Sequence, residues 1–408
     1  MSKFVIRGGR KLSGSITVGG SKNAALPIIF ACVICRGVSI ISDVPDIIDV
    51  NIALQILSDM GAIIERDGDS LIINSENMFY AEGSLECISH IRASSYLLGA
   101  TLSRFGRARI QRFGGCNFDN RPIDMHVMAM CAVGAVESNG EFICRKLRAA
   151  DIAFDKISVG ATVNALLLTA SASGTSRIYG YAREPHIFAL IDFLVSAGAR
   201  ISVHTDFIEI EGSELRGGRA RIIPDMIEAG TYVIASVVTD SQLVIRAAVR
   251  DQILSLTDKL SSVGVGFEFG KDTIMPFGTP DMPINIHTAP YPGFPTDLQP
   301  QLAPLLAAFF GGKIREGVWR ARFGYLRELE KFGVKYELLP SEAIIYPSRF
   351  NSAEVTAPDL RGGAALVIAA LASEGESIIN SADVIGRGYE NIVKKLLCVG
   401  ADIEERNT

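Results

Sequence analysis

The sequence predicts an α/β protein of two domains, each assembled from three similar units. Three observations carry that prediction. At 408 residues the chain exceeds what one ordinary hydrophobic core organises. Its 48% hydrophobic content and 16 prolines leave no room for a long disordered part, so the extra length must be folded. A local pattern then recurs six times: an apolar helix end, a glycine, a small residue and a β-like run. Its marker glycines are Gly61, Gly134, Gly198, Gly264, Gly333 and Gly400, spaced 64 to 73 residues apart. Glycine suits the left-handed residue that closes a helix before a strand begins.

The chain starts with a short strand pattern through Arg7 rather than an apolar targeting segment. A hinge is expected at Val18–Ser21, before the apolar run Ala24–Cys35. That run is well short of the roughly 20 residues a bilayer needs, so it reads as a buried helix, with Cys32 and Cys35 inside it. Ser70–Asn74, Arg177–Tyr179 and Phe207–Glu211 alternate like half-buried strands, and Ala161–Ala172 and Gly363–Ala372 are further apolar helices. Helices apolar on all sides belong beneath sheets, which distinguishes the pattern from a solenoid of amphipathic pairs. A second hinge is expected at Pro224–Thr231. The expected division is therefore residues 1–20 with 230–408 in one domain and 21–229 in the other, with a ligand in the cleft between them.

The net charge of −5 and pI near 5.7 argue against a nucleic-acid surface but leave room for a local cationic pocket. Seven cysteines without a secretory signal read as reduced thiols in the cytoplasm. The histidines at 90, 126, 186, 204 and 287 make no metal-binding spacing, and each reads as surface or core. No Rossmann glycine fingerprint follows a strand, so no dinucleotide, and no other cofactor or metal, is expected.

Six stretches carry candidate chemistry. Arg112–Pro122 sets Cys116 among glycines and arginines, where nearby cations favour the thiolate, although an inert loop-base cysteine has the same composition. Gly19–Pro27 delivers Lys22 and Asn23 to a helix start, where backbone N–H groups and a lysine suit an anion or simply meet solvent. Asp155–Thr162 repeats that logic with Lys156, Ser158 and Gly160, in a form that suits a diphosphate. Arg92, Arg361 and Arg387 enter apolar or glycine-rich surroundings, as carboxylate or phosphate binders do and as structural ion pairs also do. The proline-stiffened Ala289–Gln301 presents Asp297 before an apolar helix, as its cap or as a base for a hydroxyl. Val318–Tyr325 holds the only tryptophan and reads as a substrate-facing loop or an ordinary turn.

Taken in order, Ser21–Pro27, Arg92–Ser94, Gly114–Cys116, Arg121–Asp124, Asp155–Thr162, Ala182–Pro185, Phe294–Asp297, Asp359–Arg361 and Arg387–Glu390 resemble the UDP-N-acetylglucosamine enolpyruvyltransferases along essentially the whole chain. The resemblance implies an inside-out α/β barrel, with each domain made of three βαβαββ units. It implies transfer of the enolpyruvyl group of phosphoenolpyruvate to the 3′-hydroxyl of UDP-N-acetylglucosamine in peptidoglycan synthesis, with neither a nucleic acid nor a membrane as partner. It assigns catalysis to Cys116 as acid, Asp297 as base, Lys22 and Arg387. Phosphoenolpyruvate falls to Lys22, Asn23, Arg92, Arg121, Arg361 and Arg387. The nucleotide sugar falls to Asn23, Arg92, Arg121, Pro122, Ile123, Asp124, Met125, Lys156, Ser158, Val159, Gly160, Asp297 and Val318. The chain departs from the family pattern at Trp319–Tyr325 and Asp119, on the substrate side. Two alternatives follow: a paralogue acting on another uridine nucleotide such as UMP, and a catalytically silent UDP-sugar binder.

Overall fold

The computed structural model describes residues 2–81, 86–109, 114 and 122–407. The described residues form an α/β fold of two compact units, one built from the chain up to Gly19 with Pro224 onward, the other from the residues between. Each unit has its own hydrophobic core. The observed break precedes helix Met226–Val238, which a boundary at 229/230 would cut in two.

Among the described residues, the unit made of the chain up to Gly19 and from Pro224 onward holds three four-stranded sheets. In the first, Ser13–Thr17 runs parallel to Gln242–Arg246, which pairs antiparallel with Thr273–Phe277, which in turn pairs with Gly266–Phe269. Ile284–His287, Gly312–Arg315, Glu342–Tyr346 and Lys335–Leu339 repeat this order. Glu354–Thr356, Gly375–Asn380, Ser2–Gly8 and Asp402–Asn407 repeat it again, with the N-terminal strand in the third place. Among the described residues the other unit has two four-stranded sheets of the same order, centred on Val38–Ser42 and Thr175–Tyr179, and three strands paired around Glu141–Ile143.

Strand alternation explains which face is buried. In Phe207–Glu211, Ile208 and Ile210 are buried while Glu211 is exposed. The helices beneath are buried all round: Met226–Val238, Gln299–Ala308 and Leu360–Ala372 in one unit, Lys22–Ala31 and Val159–Thr169 in the other. Burying a leucine or isoleucine side chain contributes about 1.5–3 kcal/mol, so runs such as Leu166–Leu168 hold each core.

The six marker glycines all have positive φ, between 90° and 108°. In every case the next residue's N–H reaches back to a carbonyl five positions earlier, as Ala62 does to Leu57 and Ala401 to Leu396. This is the Schellman closure, repeated six times. Cys32 and Cys35 lie in the turn after helix Lys22–Ala31, not within it. Burial pushes the Cys32 thiol up to about 12, against a hydrogen bond from Ser39, and raises Cys35 as well, which leaves both inert near neutral pH. No helix among the described residues is long and apolar enough to cross a membrane.

Candidate active site

The unit spanning residues 20–223 carries most of the sequence-predicted binding residues. Lys22 opens helix Lys22–Ala31, whose cap Ser21 makes no side-chain capping bond, and Asn23 follows half-buried. The Lys22 ammonium lies 2.9 Å from a carboxylate oxygen of buried Asp49, in the first turn of helix Ile48–Asp59. That pairing holds a flexible lysine stem in one place.

A second cluster forms around Asn164, inside helix Val159–Thr169. Its Oδ1 accepts from Gly99 N at 2.6 Å, and its Nδ2 donates towards Ser95 O and Gly160 O, both at 3.2 Å. Nδ2 also stands 2.8 Å from His126 Nδ1. Because Oδ1 must accept from a backbone N–H, Nδ2 is the donor, and His126 is neutral with its proton on Nε2. Burial first, then the charge of Arg92, pushes His126 down to about 4, with Asp124 opposing. Burial likewise lowers Arg92, in the turn Arg92–Tyr96, with Tyr96 opposing.

This cluster joins Arg92 and the start of helix Asp124–Ala132 to the start of helix Val159–Thr169. A side chain at Gly160 would bring a Cβ within 2.9 Å of the His126 ring, so glycine is required for the approach. Ser158 caps its helix by accepting from Ala161 N at 3.3 Å, and Lys156 is exposed just ahead of it. Pro122 and Asp124 are exposed, and Ile123, Met125 and Val159 are partly so. Two helix N-termini and a half-buried guanidinium together favour an anion. Cys116 and Arg121 lie outside the described residues.

The other unit holds Asp297, Val318, Arg361 and Arg387. Asp297 does not cap the following helix Gln299–Ala308, whose cap position is Leu298. Its Oδ1 accepts from Arg322 Nη1 at 2.7 Å, and its Oδ2 from Arg361 Nη2 at 3.1 Å and Nε at 3.3 Å. Both arginines are almost fully buried, whereas the Asp297 side chain keeps 30% exposure, so its carboxylate is the part of this cluster that meets solvent. Arg361 sits in the first turn of a helix capped by Asp359, over the ring of Tyr389. Burial opposes its charge, but Tyr389 and Asp297 outweigh that, and its pKa is raised. The Tyr389 hydroxyl is fixed by Thr231 and Gln301. Arg387 ends the turn Ala382–Arg387 and is half-buried. Val318 N donates to buried Glu316 at 2.9 Å.

Each unit therefore gathers part of the predicted set: Arg92 with Gly160 in one, Asp297 with Arg361 in the other. Sequence reasoning missed Asp49, Asn164, Glu316 and the role of Arg322; of its two readings of His126, surface or core, the structure bears out the core one. The available signal was a polar residue inside an apolar run, as at Asn164. Among the described residues no group of three or more His, Cys, Asp or Glu side chains is placed to hold a metal.

Residues 6–396 match the family model for EPSP synthase (3-phosphoshikimate 1-carboxyvinyltransferase). The UDP-N-acetylglucosamine 1-carboxyvinyltransferase of Halothermothrix orenii is 40% identical over 99% of this chain and 100% of its own. That of Escherichia fergusonii is 38% identical over 99% of both chains. Among solved structures, the enolpyruvyl transferase NikO from Streptomyces tendae superposes with a TM-score of 0.89 at 26% identity, covering 100% of this chain and 99% of its own. EPSP synthase from Acinetobacter baumannii superposes at 0.74 with 16% identity over the full length of both chains, a likeness of fold.

Proposed function

The chain belongs to the EPSP synthase family, on the side of the UDP-N-acetylglucosamine 1-carboxyvinyltransferases, and on that premise we propose that it transfers the enolpyruvyl group of phosphoenolpyruvate to the 3′-hydroxyl of UDP-N-acetylglucosamine. The observation that carries the reading is end-to-end similarity to enzymes of that name, together with Asp297 held between two buried arginines. We also read the six sheets as βαβαββ units of an inside-out α/β barrel, three to a domain.

The reaction is addition followed by elimination. Asp297 takes the proton of the sugar hydroxyl as its oxygen bonds to C2 of phosphoenolpyruvate, and a proton is added at C3. The tetrahedral adduct then loses a C3 proton and phosphate, which restores the double bond. Cys116 acts as acid near the methylene or in product release, and Lys22 stabilises the adduct. Arg121 and Arg387 bind phosphate and carboxylate, and Arg92 and Arg361 add positive charge. Asn23, Val318 and the Lys156–Gly160 turn hold the nucleotide sugar, with Arg121–Met125 at the uracil. The first-turn N–H groups of helix Val159–Thr169 suit the diphosphate. We place this chemistry in the cytoplasm, as a step of peptidoglycan precursor synthesis.

The test is phosphate release from phosphoenolpyruvate with and without UDP-N-acetylglucosamine. Acceptor-dependent release is expected, and its absence would sink the proposal. UMP belongs in the same assay, because Trp319 and exposed Arg320 depart from the family pattern beside Val318. Faster turnover with UMP would move the assignment to another uridine nucleotide. Tight UDP-N-acetylglucosamine binding without product would mark a silent binder.

A further inference from the structure

Two guanidiniums on one carboxylate create a chemical difficulty for Asp297. Arg322 and Arg361 fix it in place, but their combined charge of two also stabilises its ionised form and weakens it as a base. The neighbouring structure contains the remedy.

Glu316 follows strand Gly312–Arg315, and its side chain is buried at 2% exposure. Its Oε1 accepts from Thr288 Oγ1 at 2.5 Å and from Val318 N and Trp319 N, both at 2.9 Å. Its Oε2 accepts from Thr296 Oγ1 at 3.0 Å. Thr296 Oγ1 in turn accepts from Arg322 Nη1 at 3.1 Å, and the same Nη1 reaches Asp297 at 2.7 Å. The directions are forced. A guanidinium only donates and a carboxylate only accepts, so the one hydroxyl proton of Thr296 points to Glu316.

We propose that Glu316 is a positioning residue for the Asp297 base. It acts through Thr296 and Arg322, and its negative charge offsets one of the two guanidinium charges that Asp297 faces. Asp225 also acts on Arg361, but on the Arg322 side the relay through Thr296 leads to Glu316, and removing that charge leaves Asp297 facing more positive charge in a buried setting, where charge counts for more than in water. Glu316 also ties the segment ending in Asp297 to the segment leading to Arg322, by binding Thr296 on one side and the N–H groups of Val318 and Trp319 on the other. This inference rests on the reading of Asp297 as the base.

The test is Glu316→Gln in the full-length enzyme. Glutamine can keep Oε1 on Thr288, Val318 and Trp319 and turn its Nε2 to Thr296 Oγ1, which still has lone pairs to accept, so shape is preserved while the charge is removed. The expected result is a kcat about tenfold lower, a KM for the nucleotide sugar that changes little, and an acidic limb of the kcat/KM profile moved to lower pH. A purely structural role would not move that limb. Thr296→Val keeps both charges and cuts the relay, so it should lower kcat and leave the limb in place; it also carries the test if Glu316→Gln does not fold. Asp297→Asn separates the two readings. If Asp297→Asn retains wild-type turnover, the base assignment fails. If Asp297→Asn is inactive while Glu316→Gln and Thr296→Val match wild type in kcat and in the acidic limb, the base assignment stands and the role of Glu316 is overturned.

Discussion

His126 makes the stability of its unit depend on pH in a way that can be worked out in advance. In the folded protein its ring is buried, accepts a hydrogen bond from Asn164 and faces Arg92, and its pKa is pushed from 6.5 down to about 4. In the unfolded chain it titrates near the ordinary value. Above pH 6.5 the ring is neutral in both states and the linkage contributes nothing. Between 6.5 and 4 the unfolded state takes up a proton that the folded state refuses, so stability falls with pH. The full difference corresponds to about 3 kcal/mol, of which about 2 kcal/mol is lost by pH 5. Carboxylates elsewhere also titrate in this range, so the measurement is a difference. Urea unfolding of wild type and His126→Gln, followed from pH 7.5 to 5, should show wild type losing about 2 kcal/mol more than the variant. Glutamine can still accept from Asn164 but has no proton to gain. Parallel curves would refute the neutral, Asn164-bound ring.

Under the proposed mechanism, Asp297→Asn removes the base and should lower kcat by about 10²–10⁴-fold, measured as acceptor-dependent phosphate release. Gly400→Ala should cost about 1–2 kcal/mol in chemical denaturation, because its φ of +91° is strained for alanine although no atom stands within 4 Å of the new Cβ. Gly61→Ala should cost more, since the same strain is joined by a Phe79 ring carbon at 2.8 Å. Fosfomycin should leave a covalent adduct mass on the peptide carrying Cys116, absent from Cys116→Ala; no adduct on wild type would remove the thiol from the proposed chemistry.

The repeating part of the fold was legible because it is set locally. A helix that must end one residue before a strand needs a left-handed position, and glycine adopts it without strain, so the six closures can be read from spacing alone. Buried helices were legible for a similar reason, since an apolar run with no polar face has nowhere to go but beneath a sheet. The domain boundary was less so. Its position depends on where Asp225 caps helix Met226–Val238, accepting from Ile227 and Glu228, and the six-residue discrepancy is the first turn of that helix with its cap.

Partners across long sequence separations could not be read this way. Asp297 was ambiguous between cap and base because both uses place an acid before a helix; the cap position falls to Leu298 instead, and the partners that hold Asp297 are Arg361, 64 residues away, and Arg322, 25 away. Local pattern carries no information on such pairs. The same holds for Lys22 with Asp49 and for Asn164 with His126, where one partner looks like a solvated surface group or a core polar until the other arrives. Glu316 is the extreme case. A single acid after a strand is ordinarily solvent-exposed, yet here it is buried with four donors around it, each supplied by a different residue. Burying a carboxylate without that shell would cost several kcal/mol. Its placement therefore requires Thr288, Thr296 and the 318–319 backbone to be in position at once, and that requirement ties the segment carrying Asp297 to the segment that opens at Val318 and Trp319. Under the proposed mechanism, changes in Trp319–Tyr325 would have to be compatible with the same carboxylate, so a variant in that loop that shifts acceptor preference should also shift the acidic limb if it disturbs Glu316.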